Sequence, residues 1–469
     1  NPVITWTYDA YGNPVTHTDA NGNITTHQYD SSTLTYPSKI SLPATGEVRH
    51  VWRASAFDYR IGKAKTIEDE NGNLTLYAYD SLGRLLKEET PDGGSRSLTY
   101  VDTASPVYVK TVVKTDAGNP ITRYDYLDGL QRRIRTVTYG ENSRPVYTTY
   151  TYDVMERIHR REGPSFSKTD ITPWSEFEYD LWGRTVRSRR TEGEHGIVTT
   201  QHSHSGFSET VTDPDGARKT TVKDFLGRVI RVVEHSEQGD IAMDFEYGPA
   251  GVLTKIVNPD ARATRFDYDS LGNLGSIRDL DMGLWSYTHD ANGNLKTQTD
   301  SKGQTITLKY DSLNRVRSKT YSTGEAPVIY KYDNAAVPNG IGRLCSISNS
   351  GAATTCDAYD EMGRPLSISR KFAGSPTIYT TRSDYDSAGR LAAITYPLDD
   401  FSVAYEYHSG TRLLSRVRKP DGKVYAEIED YTPDGKPGYL YQGNGIGTTY
   451  SYDARSARLK EIHIQSPSA

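Results

Sequence analysis

The chain has 469 residues, a hydrophobic fraction of 35%, a mean hydropathy of −0.67 and a formal net charge of −5. It has no basic tract and no run of about 18 apolar residues, which argues against nucleic-acid binding and against a membrane-spanning helix. Its 35 tyrosines, set among alternating Thr and Val, favour an ordered β-sheet with two wet faces over a disordered chain.

The first recurring element is a short Asp-rich turn. Asp-x-x-Gly-Asn occurs at 9–13, 19–23, 69–73, 269–273 and 290–294. Its oxygens suggest a calcium loop, but Gly stands at the fourth position, and Ser301 stands where a loop starting at Asp290 would need Glu. A hairpin turn is favoured. Asn-Gly supplies the two positive-φ positions of a type I′ turn, so positive φ is predicted for Gly22, Gly72 and Gly293.

A longer form of the turn follows tyrosine. The pair Tyr-Asp occurs 12 times, more often than this composition gives by chance, and the fullest copies read Tyr-Asp-x-x-Gly-Arg or Tyr-Asp-x-x-Gly-Asn. We interpret these positions as structural repeat residues rather than catalytic ones. They are Tyr79, Asp80, Gly83, Arg84, Tyr179, Asp180, Gly183, Arg184, Tyr268, Asp269, Gly272, Tyr359, Asp360, Gly363, Arg364, Tyr385, Asp386, Gly389 and Arg390.

The repeat has a period of 21 residues in the middle of the chain, where Tyr247, Tyr268, His289 and Tyr310 are evenly spaced. We therefore predict one continuous repeat region over 1–469. It is irregular over 1–246, regular over 247–332 and looser over 333–469. A unit of this length holds two strands and two turns, so the chain should supply about 45 strands.

The two cysteines flank a predicted hairpin. A turn centred on Ser350-Gly351 pairs position 347 with 354 and Cys345 with Cys356, which brings the two side chains face to face. Two alternatives follow, a disulfide between them or two free thiols kept reduced in cytosol. The sequence leaves both open.

Two clusters are candidate sites of chemistry. His202 and His204 share a strand face near His195, but no Cys is near and no carboxylate has ligand spacing, so a polar wall is favoured over a metal site. Asp399 and Asp400 are adjacent, so on a strand they would point to opposite faces. No nucleotide-binding or nucleophile motif is present. We expect no catalysis, metal or cofactor.

The Tyr-Asp repeats resemble those of the Rhs family, which includes bacterial polymorphic toxins, insecticidal toxin complex components, wall-associated proteins and teneurins. The resemblance covers Tyr8 to Leu459. It implies an all-β YD-repeat ribbon that spirals into part of a hollow shell around a toxic polypeptide. The nearest match to the family's self-cleavage segment, 213–217, is mid-chain and ends in Ala instead of Leu. Self-cleavage is therefore not expected of this chain.

The leading hypothesis is a non-enzymatic shell segment that encapsulates and sequesters a toxin or effector before delivery. Its expected partners are the enclosed polypeptide and the rest of a longer Rhs shell. The expected location is secreted or delivered by a bacterial toxin system, or the cell surface. A start at Asn1 fits a piece of a longer polypeptide. The alternative is a surface repeat that binds glycans or a receptor through Trp174, Trp182 and Trp285.

Overall fold

The computed structural model describes residues 3–116, 118–167, 172–193, 196–398 and 401–466. Within these ranges the chain is almost all β-strand, because runs of Thr, Val and Tyr alternate with turns at short intervals. No α-helix occurs in this part of the chain, and Glu141–Ser143 forms a single 3-10 turn. The all-β prediction is confirmed.

The strands, numbered in chain order, are β1 Thr5–Tyr8, β2 Pro14–Thr18, β3 Ile24–Tyr29, β4 Pro37–Thr45, β5 Val48–Asp58, β6 Lys63–Glu68, β7 Leu74–Tyr79, β8 Leu85–Glu89, β9 Ser95–Val101, β10 Val107–Val113, β11 Ile121–Leu127, β12 Arg133–Tyr139, β13 Pro145–Tyr152, β14 Ile158–Ser165, β15 Trp174–Tyr179, β16 Thr185–Glu192, β17 Gly196–Ser205, β18 Ser208–Thr212, β19 Arg218–Lys223, β20 Val229–His235, β21 Ile241–Tyr247, β22 Leu253–Val257, β23 Ala263–Tyr268, β24 Leu274–Asp279, β25 Gly283–His289, β26 Leu295–Thr299, β27 Thr305–Tyr310, β28 Val316–Tyr321, β29 Val328–Tyr332, β30 Leu344–Ser348, β31 Ala352–Tyr359, β32 Pro365–Phe372, β33 Ile378–Tyr385, β34 Leu391–Thr395, β35 Ser402–Tyr407, β36 Leu414–Arg418, β37 Val424–Glu429, β38 Tyr439–Gln442, β39 Gly447–Tyr452 and β40 Leu459–Gln465.

Neighbours in the sequence are neighbours in the sheet. Strands that follow one another along the chain pair antiparallel, as in β11–β12, β12–β13 and β13–β14. The described residues form 40 strands, fewer than the expected 45 or so, because some hairpins exceed the 21-residue unit. The hairpin of β4 and β5 is one example, since β5 alone has 11 residues.

The β30–β31 hairpin has the register expected from its turn. Ser346 lies opposite Thr355, and Ile347 lies opposite Thr354. One further step of this register puts Cys345 opposite Cys356. Both cysteines are buried, and both are free thiols. The disulfide itself stays a prediction.

The sheet has little apolar interior. Only eight hydrophobic residues are buried in the described part of the chain, too few for the core of a compact globule of this length. Most strand residues are half-buried, on both faces of the sheet. Tyrosine rings and ion pairs cover these faces, as the composition indicates.

The chain divides into two compact units. Unit 1 comprises Asn1–Arg96 and Thr264–Ser402, and unit 2 comprises Ser97–Ala263 and Val403–Ala469. Each unit therefore combines an early segment with one from much later in the chain. The single repeat region over 1–469 stays a prediction. Among the described residues, no helix has the length and apolar character needed to cross a bilayer.

Candidate functional site

The Tyr-Asp turn has the same geometry in copy after copy. In one copy, Asp180 Oδ1 accepts hydrogen bonds from the N–H groups of Trp182 and Arg184, both at 2.9 Å. Its Oδ2 accepts a hydrogen bond from Arg184 Nε at 2.7 Å. The N–H of Gly183, whose φ is 84°, donates to the Asp180 carbonyl at 3.1 Å. A single carboxylate thus closes the loop from within, with glycine at the left-handed position.

The Asn-Gly copies differ from the type I′ turn that we expected. Gly22, Gly72 and Gly293 have φ values of 86°, 84° and 82°, but the asparagines before them lack positive φ. Each loop is a type I turn followed by a left-handed glycine, the three-residue hairpin form. The cause is the aspartate, whose carboxylate accepts a hydrogen bond from the N–H two residues later. In the first of these loops the Asn21 N–H donates to Asp19 Oδ1 at 3.0 Å.

The carboxylate of Asp290 accepts three hydrogen bonds from within its own loop, 290–294. Asp290 Oδ1 accepts the N–H groups of Asn292 at 3.0 Å and Asn294 at 2.9 Å, and its Oδ2 accepts the Asn294 amide at 3.0 Å. Its carboxylate is therefore engaged in holding the turn. In the described residues, no group of three or more His, Cys, Asp or Glu side chains is arranged to hold a metal.

Several turns are also joined to the next repeat by an arginine that stacks on a tyrosine. The Arg157 guanidinium lies 4.5 Å from the centre of the Tyr179 ring, and the Tyr179 hydroxyl donates to the Ile158 carbonyl at 2.8 Å. The same stacking joins Arg132 to Tyr152 at 4.6 Å. Sequence reasoning missed this contact. The available signal was a basic residue recurring about 20 residues before a tyrosine.

Hydrogen bonds within the turns lower the pKa of their carboxyls. For Asp128, the side-chain hydrogen bond from Arg132 is the largest influence, and it outweighs burial. For Asp180, burial is the largest influence and raises the pKa, but the hydrogen bonds and charge of Arg184 more than offset it. These carboxylates are ionised at neutral pH and fully engaged, so they are unsuited to acid/base chemistry.

In unit 1, turns contact other turns that lie about 270 residues away in the sequence. Asn21 Nδ2 donates to Asp290 Oδ2 at 3.0 Å, although the two residues are 269 positions apart. Asn71 and the backbone of Ile341 exchange two hydrogen bonds, from Asn71 Nδ2 at 3.0 Å and to Asn71 Oδ1 at 2.9 Å. We call this set of contacts the unit 1 seam. The sequence carries no signal for it.

The unit 1 seam also contains His50, which is fully buried. His50 Nε2 lies 2.9 Å from Thr45 Oγ1, and the Thr45 hydroxyl donates to Asp333 Oδ2 at 2.6 Å. His50 Nδ1 lies 3.3 Å from Glu70 Oε2. A buried imidazole thus links the β4–β5 hairpin and the nearby Glu70 to Asp333, which lies almost 290 positions away, a structural role that sequence reasoning missed.

Unit 2 has a seam of the same kind. Asn119 Nδ2 donates to Ser409 Oγ at 2.6 Å, and the Tyr431 N–H donates to Glu141 Oε2 at 3.1 Å. Both pairs are 290 residues apart. Polar turn tips therefore hold distant segments together in each unit.

The candidate metal site is not formed by its two described histidines, His202 and His204, because they face different partners. His202 Nδ1 lies 3.0 Å from Glu209 Oε1, while His204 Nε2 lies 2.8 Å from the Thr185 carbonyl oxygen. His195, Asp399 and Asp400 lie outside the described residues.

The three candidate ligand-binding tryptophans have different surroundings. Trp182 lies at a turn tip with 80% of its surface exposed. Trp174 packs under the Arg160 guanidinium at 4.3 Å. Trp285 is half-buried on β25, and its Nε1 has no hydrogen-bond partner in the structure.

Solved structures share this fold over nearly the whole chain. TcdB2-TccC3 superimposes with a TM-score of 0.84 at 15% identity, covering 99% of this chain and 29% of that one. TcdB2-TccC3-Cdc42 gives 0.83 at 14% identity, with 98% and 31% covered. A Photorhabdus luminescens Tc holotoxin pore gives 0.83 at 14% identity, with 99% and 30% covered. The chain thus spans about 30% of the length of these structures.

The sequence profiles agree with the fold. No curated protein matches the chain. The RHS Repeat profile matches residues 3–34 and 385–424. The Teneurin YD-shell profile matches residues 75–337, more than half of the sequence. The chain therefore belongs to the teneurin YD-shell family.

Proposed function

We propose that this chain is a non-enzymatic wall segment of a shell that encloses a toxin or effector polypeptide and sequesters it until delivery. The supporting observation is the fold match over 99% of the chain to TcdB2-TccC3 at a TM-score of 0.84. One of the matching structures is a Tc holotoxin pore, and another is TcdB2-TccC3 without its hypervariable C-terminal region.

The chemistry of the sheet suits such a wall. On one face of unit 2, Arg160 lies opposite Glu176, which lies opposite Arg189 on the next strand. Charges are thus paired across strands instead of being offered to a ligand. A wall of paired charges and half-buried tyrosines gives an unfolded guest little apolar surface to adhere to.

The proposed wall acts with further polypeptide. The solved chains that it matches are about three times as long, so the complete shell would include segments beyond the residues described here. Delivery by a bacterial toxin system is part of this proposal.

Protease protection tests the enclosure. A longer polypeptide that contains this chain and completes the shell is fused at its C-terminal end to an unfolded reporter polypeptide and treated with proteinase K. We expect the fused reporter to be cleaved at least about tenfold more slowly than the free reporter, because local opening must precede cleavage. A matched variant with a weakened unit 1 seam, Asn71→Ala, should restore part of the cleavage. Equal cleavage of fused and free reporter would refute enclosure and leave the family membership intact.

A second candidate function rests on Trp182. An indole with 80% exposure offers a flat face of the kind that stacks on sugar rings. A glycan array probed with the chain and with Trp182→Ala tests it. Loss of specific binding in the variant would favour the surface-repeat function, and the absence of glycan binding in both would remove it.

A further inference from the structure

A cavity of about 580 Å³ lies in the unit 1 seam, between the turn that joins β4 to β5 and the strands β27 to β29. Residues 44–46 and Val48 line one side of it, and Tyr310, Tyr330 and Tyr332 line the other. A volume of this size is within the range that proteins use to bind small molecules. We call this cavity the seam pocket.

Hydrogen bonds across the seam hold the two sides of the seam pocket together. The Ser312 hydroxyl donates to the Ala44 carbonyl at 2.6 Å, across 268 positions of sequence. The Thr45 hydroxyl donates to Asp333 Oδ2 at 2.6 Å. Unit 1 therefore closes the seam pocket by itself, and the pocket exists only while these two distant segments stay in contact.

The carboxylates beside the seam pocket are already neutralised. The Arg315 guanidinium lies 2.8 Å from Asp311 Oδ2 and donates to Asp333 Oδ1 at 3.0 Å. Asp311 Oδ1 also accepts the Leu313 N–H at 2.9 Å. Asp333 Oδ1 also accepts the Gly342 N–H at 2.8 Å. Because both aspartates are engaged by the protein, a cationic ligand would find no free carboxylate at this site.

Two of the three tyrosines of the seam pocket use their hydroxyl protons within the sheet. Tyr310 donates to the Leu295 carbonyl at 2.7 Å, and Tyr332 donates to the Val316 carbonyl at 3.0 Å. The hydroxyl of Tyr330 differs, because it has no hydrogen-bond partner among the residues that the structure describes. Tyr330 therefore has a donor to offer to a ligand.

Arg317 adds a positive charge to the seam pocket. Ser318 pairs with Ile329, and one further step of this register puts Arg317 opposite Tyr330, on the same face of the sheet. Within the described part of the chain, the Arg317 guanidinium has no ion pair and no hydrogen bond. Lys331 also lies beside the cavity, but it follows Tyr330 on β29, so its side chain points to the opposite face.

We propose that the seam pocket binds a small organic anion. The carboxylate or phosphate group of this ligand pairs with the Arg317 guanidinium and accepts a hydrogen bond from the Tyr330 hydroxyl. Its aromatic or aliphatic body lies against the tyrosine rings. The site is formed by two segments of the chain itself, so this proposal is independent of the enclosure proposed above.

Ligand binding should also stabilise the unit 1 seam. The bound anion contacts both segments, and opening of the seam destroys the site, so occupancy opposes opening. At a free ligand concentration of 100 times Kd, opening is suppressed about 100-fold. The anion thereby acts as an effector that tightens this seam.

Isothermal titration calorimetry with phenyl phosphate and benzoate tests the site. We expect one saturable site, and the tighter probe shows whether the pocket takes a phosphate or a carboxylate. Arg317→Gln should weaken binding on the order of 10–100-fold, because a charge-assisted pair is lost, and Tyr330→Phe should weaken it about 2–10-fold. Arg278→Gln is the matched control, since Arg278 is also exposed, has no ion pair among the described residues and lies outside the seam pocket. Absence of binding by both probes, or an equal loss in Arg317→Gln and Arg278→Gln, would overturn the proposal.

Hydrogen exchange tests the link between the ligand and the seam. The tighter probe, at a saturating concentration, should slow exchange at 44–48 and at 311–315 together, and Arg317→Gln should abolish the change. Exchange at 128–132, a turn of unit 2, should stay the same. Slower exchange at 311–315 alone would show that the ligand does not bridge the two segments, and it would contradict the seam pocket. No enclosed polypeptide is needed, so this failure would leave the proposed enclosure intact.

Discussion

A single aspartate carboxylate organises many of the hairpin turns. Asp128 shows how: one oxygen accepts the N–H groups two and four residues later, both at 2.9 Å, and the other accepts Arg132 Nε at 2.7 Å. The spacing of Asp, Gly and Arg in the motif follows from this geometry. Aspartate has the right length, and arginine neutralises the carboxylate and stacks on the next tyrosine, as Arg132 does on Tyr152. Glycine takes the left-handed position in most copies, and Gln131 takes it in this one.

The first prediction concerns acid stability. The turn carboxyls of Asp128, Asp180 and Asp224 have a lowered pKa in the folded chain. In the unfolded chain their pKa is near 3.9. Below about pH 4 the unfolded state therefore binds more protons, so the free energy of unfolding should fall as the pH falls through the folded-state values. Above about pH 5 this contribution is fully present.

Urea unfolding at several pH values measures this effect. The urea midpoint should stay level from pH 7 to about pH 5 and then decrease. The variant Asp128→Asn should have a lower midpoint at pH 7 and a shallower acid decrease. A midpoint that holds constant down to pH 3 would show that the turn carboxylates do not support the fold in this way.

The second prediction concerns a buried tyrosine. Tyr431 is 8% exposed, and its hydroxyl donates to the Leu414 carbonyl at 2.7 Å. Tyr431→Phe should lower the free energy of unfolding by about 1–2 kcal/mol, because the carbonyl loses its partner away from water. Tyr11→Phe is the control, since that ring is 72% exposed, and its effect should stay within about 0.5 kcal/mol. Equal effects in chemical denaturation would refute the argument.

At the scale of the element, the hairpin is the unit that the sequence predicts best. Alternation of Thr, Val and Tyr marks the strands, and the register around Ser350-Gly351 follows from one glycine. The prediction of a type I′ turn is wrong because the preference of Asn-Gly for that turn reflects only the two central residues. The turn type is decided by the aspartate two residues before the asparagine, Asp19 or Asp290. Its carboxylate accepts a hydrogen bond from the asparagine N–H.

The third prediction tests the turn glycine. Gly72 has φ of 84° and open space where a Cβ would lie, so Gly72→Val costs mainly backbone strain, about 1–2 kcal/mol. Hydrogen exchange should rise in β6 and β7 and in the contacted segment 339–343, while hairpins that this turn does not contact keep their protection, because repeat stability depends on nearest neighbours. Gly129→Val is the control, since Gly129 has equally open space without positive φ. Exchange that rises along the whole chain would contradict local stability.

The fourth prediction concerns the cysteine pair. Burial raises the pKa of the Cys356 thiol, so alkylation of the folded, reduced chain should be slow. Under oxidising conditions we expect a Cys345–Cys356 disulfide, because the hairpin register brings the two residues opposite each other. Its short loop would add on the order of 2–3 kcal/mol at most. Mass spectrometry of non-reduced peptides would reveal the bond. Rapid alkylation of Cys356 in the folded chain would contradict its burial.

At the scale of the whole chain, the decisive contacts are those that sequence reasoning could not supply. The seams join residues about 270–290 positions apart. Where such contacts fall depends on small strand-to-strand rotations accumulated over many strands, and no local motif encodes their sum. The repeat pattern therefore predicts the strands and most of each turn, but not which turn meets which.

The last prediction tests the unit 1 seam. Asn71→Ala removes both hydrogen bonds to Ile341 and leaves its backbone groups without their partner, which should lower the free energy of unfolding by about 1–3 kcal/mol. Because the contact is long-range, hydrogen exchange should rise at 69–73 and at 339–343 together. Asn444→Ala is the control, since that side chain bonds only its own turn, at the N–H of Ile446. Its effect should stay within that turn. If Asn71→Ala raised exchange at 69–73 alone, the two segments would not be energetically coupled, and the seam would be a contact without a role in stability.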